Sequence, residues 1–285
     1  MKIQEYILNN NNSFNPIHIF ECGQCFRWNK QKDGSYTGVV KNAVVNVKEQ
    51  EDKIKINAML DVDINEFCED YFDLKTDYNK IKETLSKIDK HLKKSIEYGN
   101  GIRILHQDLW ETLISFIISA NNNIPRIKKT IEKLAQKFGN KIIYQGVEYY
   151  TFPTPDELSN ASVEELRKLG LGFRDKRVWE TTQMVVNNKM LLKELEQEND
   201  IEVLREKLKE FPGVGDKVAD CIMLFSLKKL EVFPVDVWVR RVMNELYIKE
   251  DDETKVNKKQ LQILARTKVQ KFSRDCSTIF VLLET

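Results

Sequence analysis

The 285-residue sequence predicts an α+β chain, with an N-terminal antiparallel sheet followed by a mostly helical body. Three observations predict it. Early in the chain, polar and apolar residues alternate with a period of two. From Asp63 onward, helical apolar spacing and helix-capping residues replace that alternation. Near residue 213, a glycine-containing turn joins two helix-period segments.

The stretch from about Ile3 to Ala58 reads as strands. Ser35 to Val40 and Ala43 to Val47 are β-branched runs on either side of Lys41-Asn42, the pattern of a tight hairpin. Lys53 to Asn57 alternates strictly, which marks a strand with one wet face. Later, Asp108 with Glu111 resembles a capping box, and Leu109, Trp110, Leu113, Ile114, Phe116 and Ile117 make the helix after it apolar on nearly every side. Such a helix belongs inside a domain. Ser162 with Glu165 marks another helix start, Gly170 its stop, and Pro153 and Pro155 a loop ahead of it. The expected division is residues 1–105 as the sheet domain with peripheral helices and 106–285 as the helical body.

Composition narrows the function classes. Hydrophobic residues at 41 % with charged residues at 31 % indicate a globular chain rather than a disordered one, and no apolar run is long enough to span a membrane. Without an export signal, the five cysteines read as reduced thiols of a cytosolic protein. A net charge of +1 means that any nucleic-acid footprint has to be local. Two basic stretches could supply it: Arg126, Lys128, Lys129 and Lys133, then Arg167, Lys168, Arg174, Lys176 and Arg177, against an acidic run from Glu194 to Glu202. Taken alone, such runs are most often solvated helix faces.

The most informative stretch is Phe211-Pro212-Gly213-Val214-Gly215-Asp216-Lys217-Val218-Ala219-Asp220. Pro212 ends one helix, Gly213 and Gly215 permit a tight turn, and an apolar-faced helix follows. The turn's exposed N–H groups and the helix N-terminus can hold a DNA phosphate without reading sequence. By itself a Gly-x-Gly turn is more often an ordinary helix connection. Lys217, however, sits just inside the second helix, where the positive end of the dipole disfavours an ammonium, and burial would favour the neutral, nucleophilic amine further. About twenty residues on, Pro234-Val235-Asp236-Val237 places a carboxylate to cap the next helix.

Gly213 to Cys221, together with Pro234-Val235-Asp236-Val237, resembles the helix–hairpin–helix, loop and aspartate signature of the 8-oxoguanine DNA glycosylases. Glu21 to Trp28, Gly101 to Leu105, Ser119 to Arg126 and Leu169 to Arg174 match in the same order. The resemblance implies a bifunctional glycosylase and lyase acting on duplex DNA with an oxidised purine, without cofactor or metal, as a monomer in a prokaryotic, nucleoid-associated setting. Lys217 would attack C1′ of an everted nucleotide, and Asp236 would stabilise charge on the sugar. Gly23 would offer its carbonyl to the hydrogen that 8-oxoguanine carries at N7, and Cys221 would pack on one face of the base. Asn121, Arg126 and Arg174 would serve the orphaned cytosine, Phe173 would wedge into the stack, and Gly213 and Gly215 would hold phosphate.

The tail departs from the family. The family's last helix carries Ala-Gln, two residues, then Leu-Phe, whereas this chain places Ser277 and Val281 at the Gln and Phe positions. Back-translated with A/T-leaning codons and read one base out of frame, Arg266 to Val281 can encode E-Q-K-F-K-N-L-A-G-I-A-Q-Q-Y-L-F, which fits the missing helix. A frameshift near Ala265 is therefore expected. If the tail is genuine, base discrimination or turnover weakens, because stacking on an aromatic ring contributes roughly 1–3 kcal/mol.

Other readings are weaker. Cys22-x-x-Cys25 has no second pair at ligand spacing, and His18, His91 and His106 lie far apart. A non-enzymatic or catalytically weakened hairpin DNA-binding protein, or a glycosylase for alkylated bases, remains as the alternative. The presence of both Lys217 and Asp236 argues against a non-enzymatic module, and Lys217 argues against an alkylated-base glycosylase, which typically lacks a lysine at this place.

Overall fold

A computed structural model describes residues 1–9, 13–249 and 260–261. The N-terminal part is a five-stranded antiparallel sheet in the order β1-β5-β4-β3-β2. Its strands are β1 (Lys2–Asn9), β2 (Trp28–Lys30), β3 (Tyr36–Val40), β4 (Ala43–Gln50) and β5 (Lys53–Leu60). The expected hairpin is present: Val40 pairs with Ala43 across Lys41-Asn42, with Lys41 at φ 54°.

One segment expected as strand is not. Pro16–Phe20 is a helix, α1, capped by the Asn15 side chain and started by Pro16, which suits a first helical turn. The Asn-Pro pair was the available signal. The sheet closes over aromatic rings: Phe20 stacks on Trp28 at 4.0 Å, and the Trp28 indole N–H donates to the Tyr71 hydroxyl at 2.9 Å. Gly38 lies opposite Trp28 in the register, and a β-carbon there would come within 2.5 Å of the indole.

Helices follow in order: α2 (Ile64–Tyr71), α3 (Tyr78–Ser86), α4 (Lys90–Tyr98), α5 (Leu109–Ser119) and α6 (Ile124–Phe138). A small hairpin, β6 (Lys141–Tyr144) with β7 (Val147–Tyr150), interrupts them. It was not anticipated within a helical body; its signal was Gln145-Gly146, both at positive φ, between short alternating runs. The chain continues with α7 (Pro155–Leu158), α8 (Val163–Leu166), α9 (Asp175–Asn187), α10 (Leu191–Gln197), α11 (Ile201–Lys209), α12 (Asp216–Phe225) and α13 (Val237–Met243).

The caps largely follow expectation. Ser162 and Glu165 make both halves of a capping box, and the turn after α8 leaves helical geometry at Gly170. Asp108 accepts from the Glu111 amide at 2.9 Å, but Glu111 contributes only that amide. Its carboxyl is buried near Arg27, and burial raises its pKa to about 7. α5 is buried along most of its length, as its composition required.

Two large apolar cores result, one under the sheet and one among the helices. Arg103 fastens them where the chain crosses between them. Its buried guanidinium donates to the carbonyls of Ser13 (3.0 Å), Phe72 (2.9 Å) and Thr76 (3.2 Å), and its plane lies on the Tyr78 ring.

Candidate active site

A cleft of about 860 Å³ opens where the loop after α1, the turn between α5 and α6, the start of α12 and the start of α13 converge. Gly23, Asn121, Lys217 and Asp236 all line it. Four positions drawn from distant parts of the sequence therefore meet in one place.

The hairpin that carries Lys217 is built as its composition suggested. α11 and α12 pack against each other, tied by a buried ion pair in which Arg205 Nε donates to Asp220 Oδ1 at 2.8 Å. Between them Gly213 takes φ +87°, a conformation that L side chains rarely adopt. Gly215 caps α12 without a side-chain hydrogen bond, so the first-turn amides point outward from an exposed turn. Lys217 lies in that first turn and is half-buried, its Nζ 5.7 Å from the centre of the Phe116 ring. Phe116 in turn packs edge-on against Phe26 and stacks on Phe225, giving the cleft an apolar floor.

Asp236 is the expected cap of α13. Its Oδ1 accepts from the Val239 amide at 2.8 Å, which fixes the carboxylate at the cleft wall.

The loop bearing Gly23 is held from behind. Gln24 is buried, and its amide donates to the carbonyls of Ile19 (3.0 Å) and Arg103 (2.8 Å) while its oxygen accepts from the Leu105 amide (2.9 Å). Gly101 lies so close to Asn15 that a β-carbon there would stand 2.2 Å from the Asn15 side chain. The Gly101–Leu105 motif is thus a strap that positions the loop rather than a part of the cleft. Gly23 itself sits at φ +85°, and a β-carbon there would meet only Ile124 Cδ1 at 3.9 Å, an ordinary contact, so conformation rather than crowding calls for glycine.

Six of the predicted residues lie apart from the cleft lining: Gly213 and Gly215 in the hairpin turn, and Cys221, Arg126, Phe173 and Arg174 elsewhere. Cys221 is 1 % exposed within the helical core. It follows Lys217 by one helical turn, but there the helix has already sunk into packed side chains. Arg126, Phe173 and Arg174 form a separate basic ledge beside the α5–α6 turn. Phe173 is 54 % exposed, with the Arg174 guanidinium 4.2 Å from its ring centre and that of Arg177 at 5.2 Å.

Arg174 is buried. Its Nε donates to the Ala120 carbonyl at 2.8 Å, and its Nη2 donates to the same carbonyl at 2.5 Å and to that of Asn121 at 2.8 Å. Burial first, then the positive charges of Arg126 and Arg177, hold its pKa below the usual arginine range. Those bonds shape the turn in which Asn121, unusually for a non-glycine, takes φ +52°.

Residues not singled out from sequence also line the cleft, including Tyr98, Trp238 and His18. Tyr98 and Trp238 are more than 60 % exposed, a rim of aromatic surface at the mouth. Scattered single aromatics with no shared spacing left no pattern by which they could have been found. Cys22 lines the cleft, while Cys25 is buried and its thiol pKa is pushed well up. Among the described residues, no group of histidine, cysteine and carboxylate side chains is placed to hold a metal, and no helix is long and apolar enough to cross a membrane.

Comparison with known proteins agrees with this geometry. Residues 6–113 match the model of the 8-oxoguanine DNA glycosylase N-terminal domain, and residues 114–266 match the HhH-GPD superfamily of base excision DNA repair proteins. The second match ends at residue 266; the expected departure of the tail and its frameshift, with Ser277, Val281 and Cys276, fall on residues outside those described. An N-glycosylase/DNA lyase of Saccharomyces cerevisiae is 43 % identical over 59 % of this chain, which spans 46 % of that protein's length. A probable N-glycosylase/DNA lyase of Methanothermobacter thermautotrophicus is 32 % identical over 71 % of each chain. The structure of the Clostridium acetobutylicum 8-oxoguanine glycosylase/lyase, in complex with duplex DNA containing cytosine opposite 8-oxoguanine, superposes with a TM-score of 0.90 at 40 % identity, covering 100 % of this chain and 96 % of that one. The 3-methyladenine glycosylase of Archaeoglobus fulgidus shares the fold at 21 % identity and a TM-score of 0.77. This chain belongs to the HhH-GPD superfamily of base excision DNA repair proteins and carries an 8-oxoguanine DNA glycosylase N-terminal domain.

Proposed function

We propose that the protein excises 8-oxoguanine from duplex DNA and then cleaves the strand, acting as a monomer without a cofactor. The observation that carries this reading is the convergence of Lys217, Asp236 and Gly23 on one cleft. The nucleotide leaves the stack and enters that cleft, because its C1′ cannot be reached inside the helix. The uncharged Lys217 amine adds to C1′ as the N-glycosidic bond breaks and its electron pair departs with the base. Asp236, already fixed by the Val239 amide, stabilises the positive charge that develops on the sugar. Opening of the sugar gives a Schiff base; loss of a proton from C2′ then expels the 3′ phosphate by β-elimination.

Damage recognition rests on the Gly23 carbonyl, which accepts from the N7–H of 8-oxoguanine and repels the bare N7 acceptor of guanine. Asn121, Arg126 and Arg174 serve the orphaned cytosine, with Phe173 in the gap. Arg174 has to release backbone carbonyls to do so, which makes its engagement conditional on DNA. Cys221 reaches the base only if α12 shifts or the base penetrates beneath Lys217, since its side chain is buried now.

The test is incubation with an 8-oxoguanine duplex and borohydride, wild type against Lys217→Gln. A covalent adduct formed by wild type and lost in the variant supports the reading. Binding without an adduct points to a hairpin module that only holds DNA. Preferential release of 3-methyladenine points to an alkylated-base glycosylase.

A further inference from the structure

The ledge holds three guanidinium groups, those of Arg126, Arg174 and Arg177, and none of them pairs with a carboxylate among the described residues. Nearby arginines are treated differently. Arg167 donates to Asp175 at 2.6 Å, and Arg205 donates to Asp220 at 2.8 Å. Like charges left together without acids indicate an anionic ligand.

Arg177 occupies a particular place among the three. Its guanidinium is 5.2 Å from the centre of the exposed Phe173 ring. Its stem lies across the hairpin turn: a β-carbon on Gly213 would stand 2.6 Å from Cδ of Arg177 and 3.1 Å from its Nε and Nη1. From α9, the side chain therefore reaches both the loop before that helix and the turn before α12, two elements far apart in sequence. The acidic residue nearest that turn, Asp216, is drawn toward Lys209 at 3.2 Å.

We propose that Arg177 is a positioning residue that shares one DNA phosphate with the Gly213–Gly215 turn. By lying on Phe173 at the same time, it couples seating of that phosphate to insertion of the ring. The turn alone offers only backbone dipoles, whereas Arg177 adds a full charge and a forked donor that fits phosphate oxygens. Its packing against Gly213 gives that glycine a second reason to lack a side chain. The inference rests on the DNA-repair reading, so trapping of the wild-type adduct comes first; its failure removes that reading, not the geometry of Arg177.

The experiment measures affinity of the full chain for an 8-oxoguanine duplex by fluorescence anisotropy across salt concentrations. Arg177→Gln is expected to bind about three- to tenfold more weakly, with the slope of log K against log salt reduced by about 0.9, the signature of one lost phosphate contact. Arg177→Lys keeps the charge and is expected to keep the slope, while losing the planar stack on Phe173. A scan with single uncharged methylphosphonate linkages locates the contact: at one linkage near the lesion, wild type loses more affinity than Arg177→Gln, whose remaining loss is the share of the hairpin amides. An unchanged salt slope, or additive losses at every linkage, overturns the proposal. Should Arg177→Gln not fold, Arg177→Met takes its place in the scan, and equal losses in wild type and that variant at every linkage mean that Arg177 meets no phosphate.

Discussion

The cleft and the ledge beside it are prepared to different degrees. In the cleft, Lys217 is placed by a helix start, Asp236 is locked by a backbone amide, and Gly23 is held by Gln24 from behind. Each is held by its local backbone at the lining of the cleft. On the ledge, Arg174 spends its donors on the carbonyls of Ala120 and Asn121, and the Phe173 ring lies exposed against arginine side chains. On the proposed reading, the cleft is preorganised for chemistry that must not wait for reorganisation. The ledge is organised around itself, and duplex DNA has to replace its internal partners.

The largest effect is expected in the cleft. If Lys217 is the nucleophile proposed, Lys217→Gln is expected to reduce strand cleavage by at least about a thousandfold, because its loss removes a whole covalent route. Single-turnover cleavage measures it, and affinity for intact duplex should change far less.

A pair of variants on the ledge tests whether its arginines differ as their burial implies. Arg174→Ala leaves the carbonyls of Ala120, Asn121 and Leu171 without this donor, and is expected to destabilise the DNA-free protein by about 1–3 kcal/mol in urea unfolding. Arg126→Ala removes an exposed side chain, so stability should stay within about 0.5 kcal/mol while DNA affinity falls. Equal stability in both variants would erase the distinction between the two regions.

Gly23→Ala strains a backbone at φ +85°, at a cost of about 1–2 kcal/mol. Because the strain is relieved by moving the carbonyl, discrimination between 8-oxoguanine and guanine should narrow more than overall DNA affinity. The ratio of their cleavage rates is the measurement.

A pH-dependent effect lies in α5, the helix that joins the two regions. Burial raises the pKa of Glu111 to about 7, against the opposing pull of Arg27. The folded value exceeds the unfolded one, so the stability that goes with this shift is complete below the unfolded pKa and is lost as pH rises through about 7. Glu111→Gln should therefore gain about 1–2 kcal/mol over wild type at pH 8, the partial exposure of the side chain limiting the figure, and should gain little near pH 4. Urea midpoints at the two pH values check it.

Much of this was legible in the chain because the signals are local. The Lys41-Asn42 hairpin, the Ser162 capping box, the Asp236 cap and the glycine hairpin depend on residues within a few positions of one another. The helix α1 and the strands β6 and β7 carried local signals too, in Asn15-Pro16 and Gln145-Gly146, but within stretches whose dominant pattern pointed elsewhere. The burial of Cys221 and the aromatic rim of Tyr98 and Trp238 had no such signal, since both depend on which surfaces meet.

By itself, then, the sequence determined the order of elements, the placement of a lysine in a helix's first turn and of a carboxylate at another's cap, and the motifs that mark the family. Tertiary structure decided that those two groups share a wall with Gly23, that Arg174 faces its own backbone, and that Arg177 reaches Gly213. The physical reason is range. Caps and turns are settled by hydrogen bonds spanning a few residues, whereas a cleft exists only after two apolar cores have brought distant loops together.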